Sequence, residues 1–188
     1  MTAPSVEDAR NFDASLGCLF ASALDRLAAQ LAEVPGLPAA ERDLLVDVTR
    51  ESLLSVLHGR LARLLLLELN AARVRGELAG DTSEARWAAF IDRASAPAFW
   101  QSLAAEYPDM LARVARIVEL RCDNTRRFAV RFAADRTALS VLVDGAPLGA
   151  LRAVSFGAGD THRGGQTVAL LQCDGGRVVY KPDRKSVV

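Results

Sequence analysis

Apolar residues recur every three or four positions along the chain from about Asp13 to Arg136. This spacing places them on one face of a helix, and a high content of Ala, Leu, Arg and Glu favours helix too. Proline and glycine interrupt the pattern at Pro35-Gly36, between Gly76 and Gly80, and at Tyr107-Pro108. We therefore predict a series of helices, of which the first carries one apolar stripe from Leu16 to Leu31.

The pattern changes after Ala138, where Val and Gly become frequent and helical spacing fades. Three short apolar runs, residues 151–156, 167–173 and 177–181, have the length of strands. The tripeptide Asp174-Gly175-Gly176 between the last two is typical of a hairpin turn. The predicted class is therefore α+β, with a helical region over residues 1–138 and the first strands of an antiparallel unit over residues 139–182.

A glycine-rich stretch, residues 157–168, separates the first two predicted strands, and Lys181 ends the third. Glycine lacks a Cβ atom, so backbone N–H groups in such a loop can approach a phosphate closely. The P-loop pattern does not fit, because no Gly-Lys-Ser/Thr follows and the next element is a strand. Kinase folds instead cover the phosphates of a nucleotide with a loop between antiparallel strands and a lysine on the third. Strand alternation places Val179 on the face of Lys181, where it could contact the base.

Spacing alone leaves simpler interpretations open. Glycine-rich loops before hairpins are common, and a lysine at a strand end is usually only solvated. Asp160 could brace a turn through its side chain, and His162 could be an ordinary surface histidine. His58 lies among leucines, which suits helix packing better than chemistry.

Charge and cysteine content narrow the choice of function. Lys plus Arg and Asp plus Glu both number 23, so no basic field favours a nucleic acid. Cys18, Cys122 and Cys173 are far apart and have no histidine at metal-ligand spacing, which argues against disulfides and against a metal site. Residues 1–10 do not resemble a signal peptide, and the longest apolar run falls far short of the roughly 20 residues of a membrane span. We expect a soluble, cytoplasmic protein.

Several strings in the sequence resemble motifs of the class II lanthipeptide synthetases. Residues 159–168, Gly-Asp-Thr-His-Arg-Gly-Gly-Gln-Thr-Val, are similar to the family's GDxHxxGxxV motif. Residues 174–182, Asp-Gly-Gly-Arg-Val-Val-Tyr-Lys-Pro, are similar to its G-x-x-V-Y-K-P motif. Upstream, residues 67–90 resemble its ELN and TPExRF-like segment, and residues 107–113 resemble its YPxLxR signature. The resemblance covers roughly residues 44–182.

This resemblance implies a dehydratase domain related to lipid kinases, whose N-lobe would begin with the predicted strands. Such a domain uses ATP and Mg²⁺ to phosphorylate Ser or Thr of a leader-bearing precursor peptide, then eliminates phosphate to leave dehydroalanine or dehydrobutyrine. It would place Lys181 at the phosphates and the backbone of Gly164 and Gly165 over them. Asp160 and His162 would act at the reacting phosphate or in the elimination. Zinc belongs to a separate cyclase domain of the family.

Two departures from the family pattern affect what we expect of this chain. The sequence stops seven residues after Lys181, before any kinase-like catalytic Asp or Asn, so we expect the chain alone to be inactive. Residues 183–188 replace the usual Arg-Ser after Lys-Pro, and we expect them to be a non-native tail left by truncation. A non-catalytic helical binding module and a nucleotide-binding regulator remain as alternative functions.

Overall fold

The computed structural model of the protein describes residues 12–142, 147–157 and 168–181. Within these ranges helices come first and strands last, which confirms the predicted α+β class. The helices are α1 (Asp13–Gly17), α2 (Ala21–Ala32), α3 (Ala39–Val74), α4 (Ser83–Ala94), α5 (Pro97–Glu106) and α6 (Met110–Leu139), followed by a short 3₁₀-helix at Ser140–Leu142. The strands are β1 (Leu151–Phe156), β2 (Ala169–Cys173) and β3 (Gly176–Tyr180).

Proline and glycine mark helix ends close to where the sequence predicts them. Gly76, just after α3, has a positive φ of 69°, a conformation that favours glycine at a helix C-terminus. Pro97 begins α5, where the missing N–H is not needed. The cap of α4 is Thr82 rather than Asp81, which has the capping-box spacing in the sequence. The Thr82 hydroxyl accepts a hydrogen bond from the N–H of Ala85 at 3.1 Å.

The first apolar stripe does not form one continuous helix, contrary to the prediction. α1 ends at Gly17, a turn occupies residues 18–20, and α2 begins at Ala21. Glycine is a poor helix former, so Gly17 is a natural point for the break. Leu16 and Phe20 are nevertheless buried, and so are the leucines of α2, because the turn keeps the apolar residues facing inward.

Packing divides the chain into two compact units that do not follow the order of the sequence. Among the described residues, the first unit contains 12–22 and 51–118, and the second contains 23–50, 119–142, 147–157 and 168–181. The long helices α3 and α6 each contribute to both units. The sheet therefore shares a unit with α2 and the first part of α3. The division of the sequence at residues 138 and 182 stays a prediction.

The first unit has an aromatic core packed against leucines of α3. The ring centroids of Phe12 and Trp87 lie 5.2 Å apart, and Phe99 meets both Phe90 and Trp100 edge to face. The Trp100 indole N–H donates a hydrogen bond to a main-chain carbonyl, as a buried tryptophan requires. Buried leucines at four-residue spacing on α3 complete this core: Leu53, Leu57, Leu61 and Leu65.

The second unit contains the three-stranded sheet, in the order β1-β2-β3 with antiparallel neighbours. Cys173 lies opposite Gly176, so Asp174 and Gly175 form a two-residue turn, as predicted. The residues that face inward alternate along the strands with residues that face outward. The buried residues that face inward are Leu151, Val154, Ala169, Leu171, Cys173, Val178 and Tyr180.

Candidate functional site

The outward face of the sheet carries the two described residues that the sequence assigns to a nucleotide. Val179 lies on β3 with 60% of its surface exposed, and Lys181 follows the last residue of β3 on the same face. Two residues of a strand span roughly 7 Å, which is the separation along β3 between these positions. The predicted third strand, residues 177–181, lies one residue too far along the chain, because β3 runs from Gly176 to Tyr180.

Leu170 extends the apolar part of this outward face, and sequence reasoning missed it. Leu170 pairs directly with Val179 across β2 and β3, and 46% of its surface is exposed. Side chains paired in this way lie about 5 Å apart, so the two form one continuous apolar surface. Ser155 of β1 completes the row opposite Leu170. The two-residue turn at Asp174 could have revealed this pairing, because it fixes the register of the whole hairpin.

The inward face of the sheet packs on aromatic side chains of α6. The Phe128 and Phe132 rings stack with centroids 5.5 Å apart. Tyr180 meets both rings edge to face at 5.8 and 6.5 Å, and Phe156 meets Phe128 at 5.2 Å. The Tyr180 hydroxyl also donates a short hydrogen bond to the Asp135 carboxylate. These contacts hold the last residue of β3, and therefore the start of Lys181, against α6.

An ion pair between buried Glu41 and partly buried Arg136 lies where the chain enters β1. The Glu41 side chain is 1% exposed, and its carboxylate accepts hydrogen bonds from both terminal nitrogens of the Arg136 guanidinium. Oε1 of Glu41 also accepts the N–H of Leu151 at 2.9 Å, and Nη1 of Arg136 donates to the carbonyl of Gly149 at 3.0 Å. The sequence offers no sign of this arrangement, because an acid in a first helical turn and a base in a last turn are common helix features.

A second ion pair, which is exposed, joins Arg152 of β1 to Asp174 in the turn between β2 and β3. The Arg152 guanidinium contacts the Asp174 carboxylate at 2.6 Å, and Asp174 also accepts the N–H of Ala150 at 3.0 Å. The hydrogen bond from Arg152, with the one from Ala150, lowers the pKa of Asp174 below its usual value. The turn residue Asp174 thus joins the β2–β3 hairpin to the segment before β1.

The glycine-rich connection joins β1 to β2, which are antiparallel neighbours, as the kinase-like arrangement requires. Gly157 begins this connection with a φ of 97°, a conformation that favours glycine. Asp160, His162, Gly164 and Gly165 lie outside the described residues. Their proposed roles therefore stay predictions.

The described residues offer few other reactive groups. Cys18, Cys122 and Cys173 are free, and burial raises the pKa of each thiol, which disfavours the reactive thiolate. Within the described ranges no three His, Cys, Asp or Glu side chains come together as a metal site. No helix of that part of the chain has the length and apolar character needed to cross a membrane.

Comparison with known proteins gives one family. Residues 107–187 match the model of a family described as a domain of unknown function, DUF4135. The matched segment is less than half of the chain and contains α6, the sheet and Lys181. It also includes residues 183–187, whose non-native origin stays a prediction. No curated protein matches the chain.

Proposed function

We propose that the outward face of the sheet binds ATP, and that the chain is part of the dehydratase of a class II lanthipeptide synthetase. The observation that carries this proposal is the exposed face shared by Val179 and Lys181, next to a glycine-rich connection between antiparallel strands. The family match supports it, because it covers these strands and because DUF4135 is associated with lanthipeptide synthetases.

The chemistry of this face suits a nucleotide. Leu170 and Val179 expose apolar surface that a base would remove from water, at about 25 cal/mol per Å² buried. The Lys181 ammonium would form charge-assisted hydrogen bonds with phosphate oxygens, which are about twice as strong as neutral ones. The backbone of Gly164 and Gly165 would cover the phosphates from the preceding connection. Mg²⁺ would accompany the nucleotide, and its protein ligands would lie outside the described residues.

The proposed reaction has two steps on a leader-bearing precursor peptide. The γ-phosphoryl group of ATP would pass to the hydroxyl oxygen of Ser or Thr, releasing ADP and a proton. A base would then take the Cα proton while the Cβ–O bond breaks, so that phosphate leaves and a Cα=Cβ double bond forms. Asp160 and His162 are the candidates in this sequence for acting at the phosphate or in the elimination.

Peptide mass tests the proposal and separates the two steps. The full-length protein is incubated with ATP, Mg²⁺ and a precursor peptide, and loss of water from the peptide is the expected result. Asp160→Asn and His162→Ala should disable dehydration, and an unchanged melting temperature would separate a role in the chemistry from a role in bracing the turn. Accumulated phosphopeptide assigns the residue to elimination, and unmodified peptide assigns it to phosphoryl transfer.

The alternatives give different results in the same experiment. A nucleotide-binding regulator would bind ATP in equilibrium dialysis and leave the peptide mass unchanged. A helical binding module would bind no ATP at all. Normal dehydration by both variants would mean that Asp160 and His162 take no part in the chemistry and at most brace the turn.

A further inference from the structure

The ion pair of buried Glu41 and partly buried Arg136 forms hydrogen bonds with the backbone on both sides of the point where it enters β1. Glu41 accepts the N–H of Leu151, and Arg136 donates to the carbonyl of Gly149. Arg136 also lies over the Phe132 ring, with its guanidinium carbon 4.9 Å from the ring centroid. Among the described residues, the hydrogen bonds from the pair to β1 and the residues before it thus go to main-chain atoms of Gly149 and Leu151.

The regular ladder is interrupted at this point of the sheet. Leu151 pairs with Cys173, but the next pair is Ala153 with Gln172, so the register shifts by one residue. A bulge of this kind leaves a residue unpaired and bends the strand. Glu41 supplies a buried acceptor for the N–H directly beside the bulge.

A buried ion pair is a poor source of stability, because removing two charges from water costs about as much as their attraction returns. What an ion pair adds is direction, since a bidentate guanidinium and a carboxylate accept only a narrow range of partner positions. The arrangement therefore suits placement of β1 better than stabilisation.

Asp135, which precedes Arg136 on α6, contacts the strand that leads to Lys181. Asp135 accepts the hydroxyl of Tyr180, the last residue of β3, which directly precedes Lys181. Consecutive residues of α6 therefore hold the strand that leads into the glycine-rich connection and the strand that leads to Lys181.

We infer that Glu41 and Arg136 are positioning residues for nucleotide binding, because they set the place of β1 relative to Lys181. This inference rests on the proposed function. In the described part of the chain, the hydrogen bonds that join the pair to β1 and the segment before it are made with the main chain of Gly149 and Leu151, so the effect of the pair passes through that main chain.

Two substitutions and one control test this inference in the full-length protein. Arg136→Lys keeps the charge but has one terminal nitrogen, so it loses the bidentate contact with both carboxylate oxygens of Glu41. Glu41→Gln keeps an acceptor for Leu151 but removes the charge. The control is Thr49→Val. It breaks the buried hydrogen bond between the Thr49 and Thr125 hydroxyls, which joins α3 and α6 without touching the sheet.

We measure the ATP dissociation constant by equilibrium dialysis, the melting temperature, and amide hydrogen exchange in β1. Arg136→Lys and Glu41→Gln should each weaken ATP binding about fivefold or more, since small misplacements of binding groups are costly. Each should also speed amide hydrogen exchange in β1 about tenfold, because the strand then opens more often. Thr49→Val should lower the melting temperature without changing ATP binding. If one variant fails to fold, the other still carries the test.

The outcomes separate this inference from the proposed function. A wild-type protein that binds no ATP overturns both. If the wild type binds ATP and the two variants bind it as tightly, with exchange in β1 unchanged, the pair does not position the site and the inference alone is wrong. Weakened binding that the Thr49→Val control reproduces at an equal loss of melting temperature overturns it too, because general destabilisation then explains the effect.

Discussion

The two faces of the sheet are built from the same three strands but serve different purposes. Inward residues such as Leu171 and Val178 are almost fully buried against α6, and the hydrophobic effect accounts for their identity. Outward residues Leu170 and Val179 are equally apolar, yet about half of their surface is exposed. Valine favours strands and exposed apolar residues are common on proteins, so exposure alone does not distinguish this face. The inward face maintains the structure, and under the proposed function the outward face holds the nucleotide.

The largest effect should come from truncating an aromatic residue under the inward face. Phe132→Ala removes a fully buried ring that contacts Phe128, Tyr180 and Arg136. We expect it to lower the free energy of unfolding by about 3–5 kcal/mol, measured by urea denaturation. A loss below about 1 kcal/mol would mean that the sheet packs on α6 far more loosely than the structure shows.

On the outward face the expected effect is on binding and not on stability. Lys181→Ala should weaken ATP binding about tenfold or more, because a charge-assisted hydrogen bond contributes about 1.5–3 kcal/mol, and should leave the melting temperature unchanged. Arg177→Ala is the matched control, since it removes the same charge from the same face of β3. Equal losses of binding in both variants would show that overall charge, and not the position of Lys181, attracts the nucleotide.

The local sequence pattern was enough to predict most of the secondary structure and which residues of β3 share the outward face. Helical spacing predicted the helical region, and the Asp174-Gly175 turn predicted the hairpin and its alternating faces. The shared face of Val179 and Lys181 follows from the period of two along a strand. These features depend on neighbours in sequence, and for that reason the sequence reveals them.

Contacts between distant residues could not be predicted in the same way. Glu41 and Arg136 each match an ordinary helix-end preference, so nothing in their local sequence distinguishes them from solvated charges. Nothing in the sequence indicates that the sheet and the first part of α3 belong to the same compact unit, because this depends on packing between residues far apart in sequence. The break between α1 and α2 was missed because its apolar stripe continues through the turn.

A pair of neighbouring leucines sharpens the comparison further. Leu170→Ser should weaken ATP binding several-fold, since it removes apolar surface from the proposed base site, while stability changes by no more than about 0.5 kcal/mol. Leu171→Ala on the inward face should do the opposite, with a loss of about 2–4 kcal/mol in urea denaturation. Unchanged ATP binding by Leu170→Ser would place the base elsewhere.

The smallest effect concerns the exposed pair of Asp174 and Arg152 at the edge of the sheet. Because Arg152 lowers the pKa of Asp174, the charged pair stabilises the fold above the unfolded pKa of 3.8 and loses this contribution as the pH falls through the folded pKa. Asp174→Asn should therefore melt slightly below the wild type at neutral pH. The gap should close below about pH 4 in thermal scans. A gap that persists in acid would assign the effect to the hydrogen bond with Ala150.

The separation of Glu41 from Leu151 has a consequence for the order in which the protein is made. The two residues are 110 positions apart, and the whole first unit after residue 50 is synthesised between them. Helices form locally within about a microsecond, whereas contacts across long loops must first meet the entropic cost of closure. On the ribosome, α3 therefore emerges long before the Glu41 carboxylate can contact β1. The second unit can complete its packing only after residues 51–118 of the first unit have been translated. In pulse-labelled refolding, the amide of Leu151 should gain protection after the amides of α3 do.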